Sequence, residues 1–180
     1  MKPLDRSKKI TRALKDLGID SLLLNAEANV SYAAGFLAKE SYALVTPRHI
    51  TLITDFRYVH DYAQKSAGRV RVMPYKTSLF QTVTDIINNE GCHCTGFESR
   101  HLTFAECELL NSLKDKKSRF IPLKETLEPL RMIKDHEELA KIRRGIAISL
   151  ATYRHIQRLI KPGTTELEIA AEIEKFIRHK

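Results

Sequence analysis

The chain has 180 residues, enough for one domain with a full core or for one domain and part of a second. Hydrophobic residues make up 43% and charged residues 29%, which is typical of a globular protein and excludes a disordered chain. The net charge of +8 is spread along the sequence, with 19 Lys and Arg against 15 Asp and Glu in residues 1–130 and 11 against 7 in residues 131–180. This distribution predicts no confined basic stripe and no nucleic-acid partner.

The sequence also indicates in which cellular compartment the protein resides. No apolar run approaches the roughly 18 residues of a membrane span, and the N-terminal stretch is charged and amphipathic rather than a signal peptide. Three cysteines do not make a disulfide framework. We therefore expect a cytoplasmic protein with no membrane partner.

The first third of the chain begins with a helix and continues in short strands. Ile10, Leu14 and Leu17 predict a helix closed by Gly18. Then follow a strand, a compact stretch and two strands of a hairpin that turns at Pro47, in the order "SLLLN", "ANVSYAAGF", "YALVTP" and "HITLITD".

The next segments alternate between helix and strand patterns. The helices are "RYVHDYAQKSAG", "SLFQTVTDIINNEG" and "TFAECELLNSLKD", and the strands are "VRVMPY", "CTGFE" and "RFIPL". Strands that alternate with helices are typical of a layered α/β domain, here with a mixed sheet.

The character of the chain changes near residue 129. Pro129 is expected to break the chain, and Asp135 with Glu138 predicts a capping box at the start of a long amphipathic helix. Thr165 with Glu168 predicts a second capping box and a final helix. Residues 131–180 should thus be two helices and nothing else, which indicates the beginning of a second domain.

The final helix carries an apolar stripe at helical spacing. Ile169, Ile173, Phe176 and Ile177 lie on one face, and no further element follows to cover them. Such a stripe must fold back on the preceding domain, pair with another copy or fray, and we expect self-association.

Metal-binding and catalytic patterns are sparse. Cys92, His93 and Cys94 are close in sequence, but adjacent residues of a strand point to opposite faces, so Cys92 and Cys94 would share one face and His93 would take the other. No second cysteine pair follows to complete a metal site. Cys107 is expected to pack within a helix. We interpret the cysteines as structural thiols, and we find no phosphate loop, nucleophile elbow or metal-binding helix.

A predicted strand ends and a helix begins at "TDFRYVHDY". Asp55, Arg57 and Tyr58 stand at this edge of the sheet, where ligands bind in many α/β proteins. Asp55 is equally suited to be the N-cap of the helix.

The stretch "NVSYAAGF" offers similar alternatives. Asn29 is a candidate cap of a helical turn, Tyr32 a candidate core residue and Gly35 a candidate for positive φ. Phe36 would then begin an exposed loop, "FLAKES", that contacts a ligand or a partner.

In order, five segments resemble the creatinase, prolidase and aminopeptidase P family of Xaa-Pro metallopeptidases. They are "NVSYAAGF", "LITDFRY", "GFESRHLTFAE", "LEPLRMIKDHEELAKIRRG" and "IKPGTTELEIAAEIEKFIR". The last two are the most specific because both must match at that separation.

The resemblance implies a fold of two parts. Residues 1–128 would form the creatinase-type N-terminal α/β domain, which is ribonuclease H-like, and residues 129–180 the first helices of a truncated pita-bread catalytic domain. In that family two divalent metals (Mn, Co or Zn), held by two Asp, one His and two Glu, activate a hydroxide that cleaves the bond before proline. None of those ligands maps onto this chain, so the 180 residues alone are expected to be inactive.

The resemblance also implies a homodimer in which this domain reaches the neighbouring subunit's active site. Phe36, Asp55, Arg57 and Tyr58 would then contact the proline-containing peptide in trans. Lys39 and Glu40 depart from the small residues frequent after "GF" in the family, which leaves the choice between dipeptidase and aminopeptidase open.

Two other functions remain open from the sequence. The chain is also consistent with a non-catalytic, creatinase-like module that binds peptides or proteins. A basic nucleic-acid binder is the last alternative, because the charge is dispersed along the chain.

Overall fold

The computed structural model describes residues 3–180, with the side chains of residues 6–180. These residues divide into two compact units, and the boundary lies between Ile133 and Lys134. The first is called the α/β unit and the second the helical unit.

The α/β unit contains six helices and six strands among the described residues. In chain order they are α1 (Pro3–Asp16), β1 (Ser21–Leu24), α2 (Glu27–Ala34), β2 (Ser41–Val45), β3 (Ile50–Thr54), α3 (Phe56–Ser66), β4 (Arg71–Pro74), α4 (Leu79–Glu90), β5 (Cys94–Glu98), α5 (Phe104–Leu113), β6 (Arg119–Leu123) and α6 (Glu128–Met132). The predicted alternation of helices and strands is confirmed.

The strands form one mixed sheet in the order β4, β3, β2, β1, β5, β6. β2 is antiparallel to both β1 and β3, whereas β1 with β5, β5 with β6 and β3 with β4 are parallel. The hairpin of β2 and β3 turns at residues 46–49 and pairs Val45 with Ile50, as the position of Pro47 predicts.

Helices cover both faces of this sheet. Along β1, Leu22 and Leu24 join one buried cluster with Ile10 of α1, whereas Leu23 joins another with Val83 of α4. This alternation follows from the two-residue period of a strand, and a strand buried on both faces reads as a continuous apolar run. The run "SLLL" is therefore explained by its position inside a three-layer structure.

Two details of the predicted α/β unit were wrong. Pro129 does not break the chain but lies in the first turn of α6, where its missing N–H costs no helical hydrogen bond. Strand β5 begins at Cys94, so Cys92 precedes the strand and is buried after the C-cap Gly91 of α4. The argument that Cys92 and Cys94 share a strand face therefore fails.

The helical unit consists of α7 (His136–Gln157) and α8 (Glu166–Arg178). Both predicted capping boxes are present. The Asp135 side chain accepts from the Glu138 N–H, the Thr165 side chain accepts from the Glu168 N–H, and each glutamate accepts from its cap residue's N–H.

The apolar stripe of α8 has a partner that the sequence reading overlooked. Ile169, Ile173 and Phe176 are half-buried, and the Phe176 ring stacks on His155 of α7 with 4.4 Å between ring centroids. His155 Nε2 also lies 3.0 Å from Glu172 Oε1. The preceding helix thus covers much of the stripe, because the turn at residues 158–165 lets α8 run back along α7.

Candidate functional site

The predicted site residues gather where β3 ends and α3 begins. The site is called the Arg57 patch and consists of Phe36, Lys39, Glu40, Asp55, Arg57, Tyr58 and Tyr62. The loop after α2 contributes the first three and α3 with its N-cap the others. The fold therefore brings all four predicted residues, Phe36, Asp55, Arg57 and Tyr58, into one connected set.

Asp55 is the N-cap of α3, as the alternative reading predicted. Its carboxylate accepts from the Arg57 N–H at 2.7 Å and from Arg57 Nε at 3.0 and 3.1 Å. Arg57 Nη2 also donates to Glu40 at 2.9 Å, so one guanidinium joins the helix start to the loop. Hydrogen bonding by this guanidinium lowers the pKa of Asp55, and the same bonds raise the pKa of Arg57.

Tyr62 is the buried centre of the aromatic part of the patch. Its ring lies 5.5 Å from Phe36 and stacks on Tyr58 at 5.4 Å, and Arg57 lies 5.3 Å from the Tyr58 ring centroid. The Tyr62 hydroxyl accepts from the Lys39 N–H and donates to the Lys39 carbonyl. These contacts hold the loop after α2 against α3, so the side chains of the patch have defined positions.

The exposed apolar residues of this region are not the predicted Phe36 but two of its neighbours in the fold. Phe36 is half-buried against the core, whereas its neighbour Leu37 is 60% exposed. Phe56, beside Asp55, is 81% exposed. Gly35 has φ of +81° and ends α2, which turns Phe36 inward. Sequence periodicity could not find Phe56, because an apolar first helical residue resembles a core position.

A second polar group contains one residue that the sequence interpretation placed wrongly and others that it did not identify. Asn29 lies inside α2, fully buried, and its amide donates to Glu98 and, at 2.8 Å, to Glu128. Arg131 Nη1 donates to Asn29 Oδ1 at 2.8 Å. The prediction that Asn29 caps a helical turn is therefore wrong, since α2 begins earlier and Ala26 is the N-cap.

Glu98, at the end of β5, organises this network. Its carboxylate accepts from the backbone N–H groups of Asn25 and Ala26 and also contacts the Thr126 hydroxyl at 3.3 Å. A buried carboxylate is stable only with such donors. The network connects α2, β5 and α6, and it is structural rather than open to a ligand.

Residues 6–133 match the model of the creatinase/prolidase N-terminal domain. The chain belongs to this family. The match covers the α/β unit and ends at the boundary between the two units. In this creatinase/prolidase domain, the segments "NVSYAAGF", "GFESR" and "LEPLRM" meet at the Asn29, Glu98 and Arg131 network, which supplies a packing reason for their resemblance to the family.

The relatives of this creatinase/prolidase domain are peptidases by name. An uncharacterized peptidase, YqhT, of Bacillus subtilis is 29% identical over 95% of this chain and 48% of its own length. An Xaa-Pro dipeptidase from Bacillus anthracis is 28% identical with a TM-score of 0.87, over 99% of this chain and 49% of that one. An X-Pro aminopeptidase from Thermotoga maritima is 26% identical with a TM-score of 0.80, over 93% and 49%. The chain thus spans about half the length of these relatives.

Metal-binding clusters and membrane-spanning helices are absent from the part of the chain that the structure describes. No group of three or more His, Cys, Asp or Glu there could hold a metal ion, and no helix there is long and apolar enough to cross a membrane. Cys92, Cys94 and Cys107 are free thiols, and burial raises the pKa of the Cys92 thiol.

Proposed function

We propose that the full-length protein is a two-metal Xaa-Pro peptidase that hydrolyses the bond before proline, and that this chain is its N-terminal part. The observation that carries the proposal is the superposition of nearly the whole chain on about half of an Xaa-Pro dipeptidase. The described residues supply no donor set for a metal, so other residues would hold the two divalent ions, Mn, Co or Zn. The 180 residues alone are then inactive.

The division after residue 128 stays a prediction within this proposal. The helical unit supports a role for residues 129–180 as the opening of a second domain. Several apolar side chains of α7 are exposed, namely Leu139, Ile142, Ile146, Leu150 and Tyr153, and Ile160 is exposed just after the helix. An exposed apolar surface of this extent indicates that another part of a protein packs against α7.

For the Arg57 patch we propose contact with the proline-containing peptide in the neighbouring subunit of a homodimer. The guanidinium is well exposed, with a side-chain exposure of 59%, although Asp55 and Glu40 already orient it. An oriented guanidinium can receive a peptide carboxylate with little further loss of side-chain entropy. Exposed Leu37 and Phe56 add apolar area beside it.

Peptide hydrolysis tests the enzyme proposal. The 180-residue chain and the product of the complete reading frame would be incubated with an Xaa-Pro dipeptide, a longer Xaa-Pro peptide and Mn²⁺. We expect turnover by the full product alone, abolished by EDTA. Cleavage by the purified 180-residue chain would refute its inactivity. A frame that stops after Lys180 would refute the enzyme and favour the non-catalytic peptide-binding module.

Kinetics of one variant test the patch. In the full product, Arg57→Ala removes an oriented cation, and we expect KM to rise about tenfold with a smaller change in kcat. Lys116→Ala is the matched control, since this exposed cation lies in the loop between α5 and β6. Light scattering reports whether either variant dissociates the dimer. Equal kinetics for Arg57→Ala and wild type would exclude contact with substrate.

A further inference from the structure

A concave surface of the α/β unit is strongly basic. A cavity of 340 Å³ is lined by residues of α1, the end of α2, the turn between β2 and β3, and the loop from α3 to β4. Its charged lining is Arg6, Arg48, Arg69 and Arg71, joined by His49. No Asp or Glu is among the described lining residues.

A second cavity continues this basic surface along α1. It measures 390 Å³, shares Ser7 with the first and contains Pro47, the neighbour of Arg48. Its charged lining is Lys8, Arg12 and Lys15, again without a described carboxylate. The charge that is spread along the sequence is therefore gathered in space, and the expectation of a dispersed surplus is wrong for this face.

Several of the guanidinium groups are held in place. Arg69 donates to the carbonyls of Ser66 and Lys65 at the end of α3, and Arg71 lies 3.5 Å from Glu90. Arg6 lies over the Tyr32 ring at 4.9 Å. A guanidinium has five N–H donors, so Arg69 retains donors after its two backbone contacts. Glu90 offsets part of the charge, but the set remains strongly positive.

We propose that the first cavity binds a small ligand that carries two or more phosphate groups. Guanidinium groups recognise phosphate oxygens with paired hydrogen bonds, and a concave basic site concentrates anions. The volume is within the range of small-molecule sites. Among the described residues, neither lining includes Phe, Tyr or Trp, the side chains on which single-stranded nucleic acids stack their bases, so a compact phosphate compound fits better than RNA.

Calorimetry with inorganic pyrophosphate tests the proposal on the 180-residue chain at fixed ionic strength. We expect one-site binding that Arg48→Ala weakens about tenfold, because Arg48 supplies charge-assisted hydrogen bonds from the turn. Arg119→Ala is the matched control, since Arg119 begins the opposite edge strand β6 and its loss removes the same net charge. Arg48→Lys should give an intermediate loss, because lysine cannot form paired bonds.

Three results would overturn the proposal. The first is absence of pyrophosphate binding by a folded chain. The second is an equal loss of affinity in Arg48→Ala and Arg119→Ala, which would mean a general field effect. The third is tighter binding of a labelled oligouridine than of pyrophosphate, which would indicate RNA. Competition by ADP at the same site would support the proposal and identify a nucleotide as one source of the phosphates.

Discussion

The α/β unit and the helical unit bury very different shares of their apolar surface. In the α/β unit, Leu52 and Leu24 are fully buried between a sheet and its helices. In the helical unit, Ile156 is buried, whereas Leu150 and Tyr153 are 51% and 63% exposed. Both units nevertheless have well-defined helix ends, and each helix of the second begins with a capping box.

This difference shows which unit is stabilised mainly by local contacts and which mainly by tertiary packing. Caps contribute about 1 kcal/mol each, whereas burying one large apolar side chain contributes about 1.5–3 kcal/mol. The α/β unit can therefore sustain its own fold. The helical unit is specified locally but has little core, and its stability should depend on the pairing of α7 with α8 and on whatever covers α7.

The largest expected effect contrasts two leucines. Leu52→Ala leaves a cavity in the core of the α/β unit and should lower the free energy of unfolding by about 3–5 kcal/mol. Leu150→Ala, on the exposed face of α7, should change it by less than about 0.5 kcal/mol. Urea denaturation followed by circular dichroism measures both. Similar losses for the two variants would mean that the α7 face is covered in solution.

A smaller effect is expected at the buried network. Glu98→Ala removes the acceptor for the Asn25 and Ala26 N–H groups and for the Asn29 amide, which should cost about 2–3 kcal/mol. Glu108→Ala is the control because that glutamate is exposed on α5. The same urea assay applies. If Glu98→Ala were as stable as the control, the network would not hold α6 in place.

The smallest effect is a pH dependence of the helical unit. A hydrogen bond from His155, with attraction from Lys175, lowers the pKa of Glu172 below its ordinary 4.5. A lowered folded pKa means that this stabilisation is complete above pH 4.5 and is lost as the pH falls through the lowered value. The protection factors of the amides in residues 169–177, measured against intrinsic exchange at each pH, should therefore decrease below that pH.

Two variants check this assignment. Glu172→Gln should remove the pH dependence, because its side chain cannot ionise. Glu174→Gln, which breaks an exposed pair with Arg178 on the same helix, should retain it. If Glu172→Gln kept the same pH profile as the wild type, a titratable group other than Glu172 would cause the pH dependence.

Much of the candidate site was predictable and part of it was not. Asp55, Arg57 and Tyr58 were identified because a strand end followed by a helix cap is visible in a few adjacent residues. Tyr62 and Glu40 complete the patch through contacts that depend on how the loop after α2 meets α3. Asn29 was misread because Glu98 and Arg131, which occupy its amide, are far away in sequence.

The sequence by itself determined the alternation of helices and strands, the caps of α3, α7 and α8, and the family, because each depends on periodicity or on residues a few positions apart. Only the tertiary structure decided which distant groups meet. It placed Glu98 beside Asn29, laid the α8 stripe on His155, and collected arginines from α1, the β2–β3 turn and the α3–β4 loop at one cavity. Such contacts depend on how elements distant in sequence are connected and packed, and a local sequence pattern does not contain that information.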